Sequence, residues 1–164
     1  MINICLNEKL KDILIKNDID PQSGYTPAYG GESAGLDLYN TGDDVVVPPV
    51  GEESSYKNKI LIPTGIQMSV PKGYVALIQE RGSVTKTPLK VRAGVIDSGY
   101  TGEVFVNCIN TDTKEFILNK ENKLPFQIIV VKCDNEYNVV SQDEYAEITN
   151  SSLRKEGQVG SSDR

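Results

Sequence analysis

Residues 92–104, RAGVIDSGYTGEV, place a carboxylate (Asp97) and an aromatic ring (Tyr100) among glycines, at a bend between two apolar runs. The pattern by itself favours a β-hairpin, in which Asp97 binds the backbone of the turn and Gly99 takes a positive φ. The same residues could also do chemistry. Asp97 could hold and deprotonate a water while the Tyr100 ring closes one side of a pocket.

Two further stretches have residue types suited to a phosphate or a cation. ERGS, at 80–83, follows an apolar run and is either a surface turn or a cradle in which the arginine supplies charge while the glycine and serine supply an amide and a hydroxyl. In AGLDL, at 34–38, Asp37 is either an ordinary acid at a strand edge or a carboxylate that orients waters around a hard cation.

The composition excludes several classes of site. The chain has no histidine, and its three cysteines, Cys5, Cys108 and Cys133, are widely separated. Zinc sites and Ser-His-Asp or Cys-His catalysis therefore have almost nothing to be built from, and we expect the thiols to be buried. A net charge of −6 argues against a nucleic-acid partner. A small phosphorylated ligand can still be held by a few arginines and a divalent cation.

Short β-rich runs separated by turn residues dominate the chain. Residues 8–16 have leucine and isoleucine at helical spacing and predict a short helix. The remainder predicts an all-β sandwich or barrel of jelly-roll type, with at most one or two short helices. The predicted strands are residues 2–6, 45–47, 60–62, 66–70, 74–78, 104–109, 115–118 and 127–131.

We expect one β domain over residues 1–150, followed by a polar arm over residues 151–164. The composition of the arm favours disorder, and the alternative is an arm that orders over a ligand and donates to phosphate. The donors would then be Arg154, Gly157, Gly160, Ser161 and Ser162. No apolar run is long enough to cross a bilayer and no secretory signal is recognisable, so we predict no membrane partner and a cytoplasmic location.

In this order, AGLDL, ERGS, AGVIDSGYTGE, LPFQIIV and RKEGQVGSS resemble the motif set of the trimeric dUTP pyrophosphatases, the dUTPase family. The resemblance covers most of residues 25–162, and residues 93–104 are its most specific part. It implies a dUTPase-like jelly roll, or β-clip, assembled as a homotrimer whose active sites combine motifs of neighbouring subunits. It also implies Mg²⁺-dependent hydrolysis of dUTP to dUMP and pyrophosphate, which lowers dUTP and supplies dUMP for dTTP synthesis.

The resemblance further implies roles for single residues. Asp97 would activate the attacking water, and Tyr100 would stack under the sugar. Mg²⁺ tends to bind phosphate oxygens and waters, so Asp37 would reach it through water and no direct protein ligand is expected. The other implied substrate contacts are main-chain groups from Val91 to Ile96, including Gly94 and Val95; Arg81, Gly82, Ser83 and Gln127 at phosphates; and Arg154, Gly157, Val159, Gly160, Ser161 and Ser162 in the arm.

The chain departs from the family pattern within these motifs. Glu80 and Gly82 flank the arginine where the family reads Pro-Arg-Ser, and a carboxylate there should repel phosphate unless it points away or binds a cation. Val91 stands where the family usually has an asparagine that contacts the pyrimidine edge, and Val159 stands where an aromatic normally stacks on the base. These changes leave open a different pyrimidine specificity, such as dCTP or a modified dUTP.

Three other functions use the same fold. A non-catalytic binding or regulatory module is compatible with the departures, although Asp97 and Tyr100 would then have no evident use. A jelly-roll structural protein would leave residues 92–104 unexplained. A dCTP deaminase is disfavoured, because that activity resembles one needing a glutamate where this chain has Asn107, which cannot shuttle protons.

Overall fold

The computed structural model describes residues 2–50, 60–134 and 136–152. These residues belong to two compact units, one ending at residue 134 and the other starting at residue 135. The first unit contains ten described strands and one α-helix, whereas the described part of the second contains one α-helix. This composition confirms the prediction of an all-β fold with at most two short helices.

The elements are numbered in chain order. The helices are α1 (Glu8–Lys16) and α2 (Gln142–Ser151), and short 3-10 turns occur at Tyr29–Gly31 and Gly82–Lys86. The strands are β1 (Asn3–Leu6), β2 (Leu36–Tyr39), β3 (Val45–Val47), β4 (Leu61–Ser69), β5 (Tyr74–Glu80), β6 (Leu89–Arg92), β7 (Val95–Ile96), β8 (Glu103–Asn110), β9 (Phe116–Leu118) and β10 (Lys123–Lys132).

The strands form three antiparallel sheets. The first sheet has the order β1-β4-β8-β6, the second has the order β2-β10-β5-β7, and a two-stranded sheet joins β3 to β9. Alternate residues of β8, such as Val104 and Val106, are buried, because successive side chains of a strand point to opposite faces. Together with Leu38 and Phe126 of the second sheet they belong to one hydrophobic core.

Helix α1 has the bounds that its periodicity predicts. Asn7 caps it, since its side-chain oxygen accepts a hydrogen bond from the Leu10 N–H at 2.9 Å. Leu10, Ile13 and Leu14 are buried, which is the apolar stripe expected of a short amphipathic helix.

Helix α2 was not predicted from the sequence. Ser141 and Glu144 form a capping box, in which each side chain binds the other residue's backbone N–H. None of its residues is buried, so it lacks the apolar stripe by which a helix is usually recognised. Within the described residues, no helix has the length and apolar character needed to span a membrane.

The predicted hairpin over residues 92–104 is wrong. β7 pairs with β5 of the second sheet, through Ala76 and Ile96, while β8 pairs with β4 and β6 of the first. The two apolar runs on either side of the bend are therefore strands of different sheets. Gly99 does not take a positive φ either; the residue in this stretch that does is Ala93, at 48°.

Two local expectations also need correction. The runs 60–62 and 66–70 belong to one strand, β4, whose register against β8 shifts between Pro63 and Gln67. The cysteines are not all buried: Cys108 is, but Cys133 is half-buried and Cys5 is exposed on β1.

Candidate functional site

One face of the second sheet gathers polar side chains from three neighbouring strands. Gln127 of β10 lies opposite Asp37 of β2 on one side and opposite Gln79 of β5 on the other. Residues opposite each other in a sheet share a face, and so do residues two apart along a strand. This register brings Asp37, Gln127 and Arg81 together, and Lys123 completes a group that we call the Asp37 cluster.

The Asp37 carboxylate holds two cations. Its Oδ1 lies 2.5 Å from Arg81 Nε, and its Oδ2 lies 3.1 Å from Lys123 Nζ. The Asp37 side chain is only 17% exposed, so these ion pairs are shielded from solvent more than ordinary surface pairs. Two cations against one carboxylate leave the cluster with one net positive charge.

Arg81 is fixed in direction by further hydrogen bonds. Its Nη1 donates to the Leu124 carbonyl at 3.3 Å and to Ser83 Oγ at 3.4 Å, and its backbone N–H donates to the Pro125 carbonyl at 2.9 Å. Ser83 and Gly82 belong to the 3-10 turn that follows β5. Gly82 and Ser83 therefore directly follow a member of the Asp37 cluster, Arg81, as a phosphate cradle built from ERGS requires.

Gln127 joins this group through close packing. Its Nε2 donates to the Glu80 carbonyl at 3.1 Å. Its Oε1 lies where a Cβ on Gly35 would be, so position 35 has no room for a side chain. Gly35 lies within AGLDL but was given no role from the sequence, and its place two residues before Asp37 was the available signal.

The Glu80 carboxylate does not remain free beside the cluster. Its Oε2 lies 3.3 Å from Lys90 Nζ, and its Oε1 accepts a hydrogen bond from the Val91 N–H at 3.4 Å. The repulsion expected between Glu80 and phosphate is thus offset by a lysine that no motif contains.

Asp97 and Tyr100 line a second feature, a cavity of about 310 Å³ that we call the Asp97 cavity. Val95 and Ile96 of β7 line it as well. Its other lining residues, mostly apolar, are Leu61, Ile78, Ala93, Val104 and Phe105. The structure therefore brings together the predicted carboxylate, the predicted ring and two of the predicted backbone positions, in surroundings suited to a flat, partly apolar ligand.

The backbone on both sides of Asp97 is tied to fixed elements. Gly94 accepts a hydrogen bond from the Ile78 N–H at 2.7 Å, and a Cβ at Gly94 would meet the Ile78 carbonyl oxygen at 2.6 Å. After the bend, the Tyr100 N–H donates to the Asp97 carbonyl at 3.0 Å. The close approach of β5 explains why a glycine is needed before Val95.

The Tyr100 ring is held by residues that the sequence analysis did not single out. Its hydroxyl donates to the Glu103 carbonyl at 2.5 Å, and the ring lies over Gly102, where an added Cβ would meet the hydroxyl oxygen at 2.8 Å. Glu103 is itself anchored, because its Oε1 accepts a hydrogen bond from the Gly65 N–H of β4 at 2.9 Å. Gly102 and Glu103 follow Tyr100 directly in YTGE, which was the signal available.

The structure keeps the two features apart. Among the described residues, none of those lining the Asp97 cavity belongs to the Asp37 cluster or to residues 82–83. Val91 lies on β6 of the first sheet and does not line the cavity either. The predicted arm contacts, Arg154, Gly157, Val159, Gly160, Ser161 and Ser162, fall outside the described residues.

A magnesium ion would find few direct protein ligands here. The described residues contain no group of three or more carboxylate or cysteine side chains arranged to hold a metal. Each Asp37 oxygen already faces a cation, but a carboxylate offers about four acceptor positions and can still accept from a metal-bound water. The residues therefore fit Mg²⁺ only as an ion held by ligand oxygens and waters.

Comparison with known proteins identifies a family. Its model, described as dUTPase, matches residues 25–163. The deoxyuridine 5′-triphosphate nucleotidohydrolase of Dictyoglomus turgidum is 37% identical over 137 residues, covering 79% of this chain and 83% of that protein. The protein of the same name from Paramecium bursaria Chlorella virus 1 is 35% identical over 117 residues, covering 70% and 76%.

Solved structures agree in fold. A mutant dUTPase of phage phi11 of S. aureus superposes with a TM-score of 0.63 at 20% identity, covering 87% of this chain and 97% of that one. The native EIAV dUTPase superposes with a TM-score of 0.62 at 22% identity, covering 87% of this chain and 98% of that one. The jelly-roll prediction is thereby confirmed.

Proposed function

The chain belongs to the dUTPase family, and we propose that it hydrolyses dUTP to dUMP and pyrophosphate with the help of Mg²⁺. The family match and relatives more than a third identical make it a dUTP diphosphatase. The observation that carries the proposal is the Asp97 cavity, which the Asp97 carboxylate residue lines together with Tyr100 and a mostly apolar wall. Such an activity lowers dUTP and supplies dUMP for dTTP synthesis.

Asp97 is the proposed base. A carboxylate that accepts a proton from a water turns the water into a better nucleophile, which then attacks the α-phosphorus in line with the departing pyrophosphate. The apolar walls of the cavity favour this step, because they exclude bulk water and strengthen charge interactions. Tyr100, fixed by Glu103, would pack against the sugar.

The phosphates would be held by Arg81, Ser83, the Gly82 amide and Gln127. Arg81 supplies a cation whose direction is set by Asp37 and by the Leu124 carbonyl. A fixed donor set costs no reorganisation when charge develops in the transition state. Mg²⁺, when bound, would neutralise phosphate oxygens, and Asp37 would accept from one of its waters. The phage phi11 dUTPase, which coordinates a structural Mg(II) ion, supports this cofactor.

We propose a homotrimer with shared active sites. A nucleotide has to contact a base and sugar pocket and a phosphate site at once, yet the Asp97 cavity and the Asp37 cluster share no described residue. A neighbouring copy that brings its cluster to this cavity would complete the site. The arm, residues 151–164, remains a proposed lid that closes over the ligand.

The proposed location is the cytoplasm, or the host cytoplasm for a phage or viral protein, because the substrate and product are soluble nucleotides.

Altered pyrimidine specificity is the second candidate. At Val91 an isopropyl group replaces an amide, and the Val91 N–H is already engaged by Glu80. Sites that read a polar base edge discriminate strongly, so loss of that reading broadens the substrate range. A panel of deoxynucleoside triphosphates, including dCTP and modified dUTP, assayed for pyrophosphate with and without Mg²⁺, separates this from strict dUTP hydrolysis.

The test of the mechanism is Asp97→Asn. The amide cannot accept the proton of the water, so we expect kcat to fall by about 10² to 10⁴ while the Kd for a non-hydrolysable dUTP analogue stays near that of the parent. Asp43→Asn, which changes an exposed acid outside both features, is the matched control and should keep the parent kcat. Equal rates for Asp97→Asn and the parent would remove Asp97 from the mechanism. No pyrophosphate from any triphosphate with the parent protein would refute catalysis altogether.

A further inference from the structure

A groove of about 860 Å³ lies along strand β1, and none of its lining residues has a part in the mechanism above. Three consecutive residues of β1, from Ile4 to Leu6, form one wall. Successive side chains of a strand point to opposite faces, so a groove that touches three residues in a row follows the edge of the strand. Helix α1 and residues 18–22 of the loop after it form the other wall. We call this feature the β1 groove.

The β1 groove lies outside the part of the chain that matches the dUTPase model. That match starts at residue 25, whereas every residue lining the groove precedes it. Among the described residues, the groove shares none with the Asp97 cavity or the Asp37 cluster. A use for the groove therefore has to follow from its own chemistry.

The edge of β1 that borders the groove is open to another strand. β1 is the last strand of its sheet, and β4 is the only described strand that pairs with it. Edge strands are usually protected by charged residues or proline, as β6 is at the opposite edge by Lys90 and Arg92. β1 has the sequence NICL, with neither a charge nor a proline. Its second row of backbone donors and acceptors is therefore a template for strand addition.

Apolar side chains line both walls of the groove. Ile4 of β1 is 41% exposed, and Ile15 of α1 is 61% exposed. Leu6 and Ile19 also line the groove and are half-buried. Alternate residues of an added strand point to one side, so every second side chain of such a strand could pack against these residues.

The rim of the groove is acidic. Among the lining residues Lys11 is the one cation, and it pairs with Glu8 at 2.7 Å. Asp12, Asp18 and Asp20 line the groove as well, and no described cation lies within ion-pair distance of them. The lining therefore has a net charge of −3. Such a rim favours a basic occupant over an acidic one.

A second copy of the chain is a poor match for this rim. Its most exposed apolar residues outside the sheets are Tyr137 and Val139, which are 84% and 96% exposed. They belong to a stretch, residues 133–153, that has no lysine or arginine. The same stretch contains the acids Asp134, Glu136, Asp143, Glu144 and Glu147. Docking it into the β1 groove would bring acids against acids, which is unfavourable.

We propose that the β1 groove binds an extended segment of another protein in which apolar residues alternate with lysine or arginine. The segment adds to the free edge of β1 as a further strand, so backbone hydrogen bonds supply affinity and alternate side chains supply specificity. Its apolar side chains pack against Ile4 and Ile15, and its basic side chains face Asp12 and Asp18. The inference does not depend on the proposed function, because it uses neither of the two nucleotide features.

The first test uses short peptides of defined sequence. The full-length protein is titrated by calorimetry with a capped heptapeptide of alternating lysine and valine, and with one of alternating glutamate and valine. We expect the lysine peptide to bind about tenfold more tightly than the glutamate peptide. Its binding should weaken when the salt concentration rises from about 0.05 to about 0.5 M, because salt screens exposed charges.

Backbone methylation of the lysine peptide tests strand addition itself. In a strand the N–H groups of alternate residues point to opposite edges, so methyl groups on the valine nitrogens block one edge and methyl groups on the lysine nitrogens block the other. One methylated peptide should lose binding and the other should keep it. The two peptides have the same composition and charge, so each is the control for the other.

Cys5 reports where the peptide binds. Its side chain is exposed and lines the groove, so bound lysine peptide should slow its labelling by a thiol reagent. Cys133, which does not line the groove, should be labelled at the same rate with and without peptide.

Acid-to-amide variants test the rim. Asp12→Asn combined with Asp18→Asn should weaken binding of the lysine peptide about fivefold, as for the loss of two exposed charge contacts. Asp43→Asn combined with Glu115→Gln makes the same change in net charge at exposed acids outside the groove, and it should keep the parent affinity.

The contrary outcomes are distinct. No binding of the lysine peptide, equal effects of the two methylation patterns, or unchanged labelling of Cys5 would each overturn the inference. Tighter binding of the glutamate peptide would overturn it too, and would make the acidic stretch of a second copy the occupant. Pyrophosphate release from dUTP is measured separately, so its absence would refute the proposed function and leave the β1 groove untouched.

Discussion

Replacing Gly102 by alanine should disturb the proposed sugar site while leaving the fold intact. A Cβ at position 102 would lie 2.8 Å from the Tyr100 hydroxyl oxygen, 2.9 Å from Cζ and 3.3 Å from Cε2, so the ring has to move. Gly102 is not a positive-φ glycine, and alanine therefore adds no backbone strain. Since Tyr100 is 43% exposed, the ring can swing towards solvent instead of forcing the strands apart.

The magnitude follows from the bond that this movement breaks. The Tyr100 hydroxyl loses its hydrogen bond to the Glu103 carbonyl, now 2.5 Å long, and a typical bond of this kind contributes about 1 kcal/mol. If the ring has to return to its present position when substrate binds, that return costs about 1 kcal/mol in the variant, and kcat/KM for dUTP should fall about fivefold. Discrimination between dUTP and UTP should fall as well, because the displaced ring would no longer fill the space beneath the sugar, where we propose that it lies. The melting temperature should fall by only about 2–4 °C, the shift that a loss of about 1 kcal/mol gives in a chain of this length.

The assay is steady-state release of pyrophosphate from dUTP and from UTP, with melting temperatures measured in parallel. Gly99→Ala is the matched control, because it lies in the same loop, has no positive φ, and an added Cβ there meets nothing within 4 Å. It should behave as the parent. If the two alanine variants have the same dUTP to UTP ratio, the position of the Tyr100 ring does not set sugar selectivity and the reasoning is refuted.

Two further predictions concern stability and thiol chemistry. Gly65→Ala combines a φ of 71° with an added Cβ 2.6 Å from Asn7 Oδ1, so we expect the free energy of unfolding to fall by about 3 kcal/mol and the melting temperature by about 10 °C. In the control, Gly73→Ala, φ is 82° but an added Cβ meets nothing closer than 4.0 Å, so calorimetry should show about half that loss. Equal losses in the two variants would contradict the packing argument. Burial raises the pKa of Cys108 to about 12, so the Cys108 thiol should not react at pH 8 in the folded protein. A thiol reagent should therefore label exposed Cys5 at once and Cys108 only after unfolding, as measured by peptide mass spectrometry. Rapid labelling of Cys108 in the native protein would contradict this prediction.

The elements that depend on local periodicity were predictable. Helix α1 has its bounds fixed by an apolar stripe and by Asn7 at its N-cap, and β8 shows the alternation of a strand with one buried face. Helix α2 escaped prediction because it buries no side chain, so its sequence has no stripe. Its capping box, Ser141 followed three residues later by Glu144, was readable.

Strand pairing was less predictable than the strands themselves. The bend at Asp97 has the composition of a hairpin turn, but composition does not say which strand a short segment will join. β7 joins β5 because Gly94 allows close approach to the backbone of Ile78. Ile78 and Gly94 are about sixteen residues apart in the chain, and the composition of the turn at Asp97 does not indicate that they will meet. The Asp97 cavity exists because of this pairing, since Ile78 of β5 and Val104 of β8 both line it.

The charge around the proposed phosphate site shows most clearly what motif reading misses. Glu80 in place of a family proline suggested a site weakened by repulsion, but that carboxylate is paired with Lys90, ten residues away. Asp37 could have neutralised Arg81 completely, but Lys123 shares it across the sheet. Both lysines lie outside the residues whose roles the motifs assign. The effect of Lys123 depends on register, since the pairing of β10 with β2 shifts between Lys123 and Gln127. The net positive charge of the proposed phosphate site is therefore a property of the folded sheet, and a change at either lysine should alter phosphate affinity even with every motif intact.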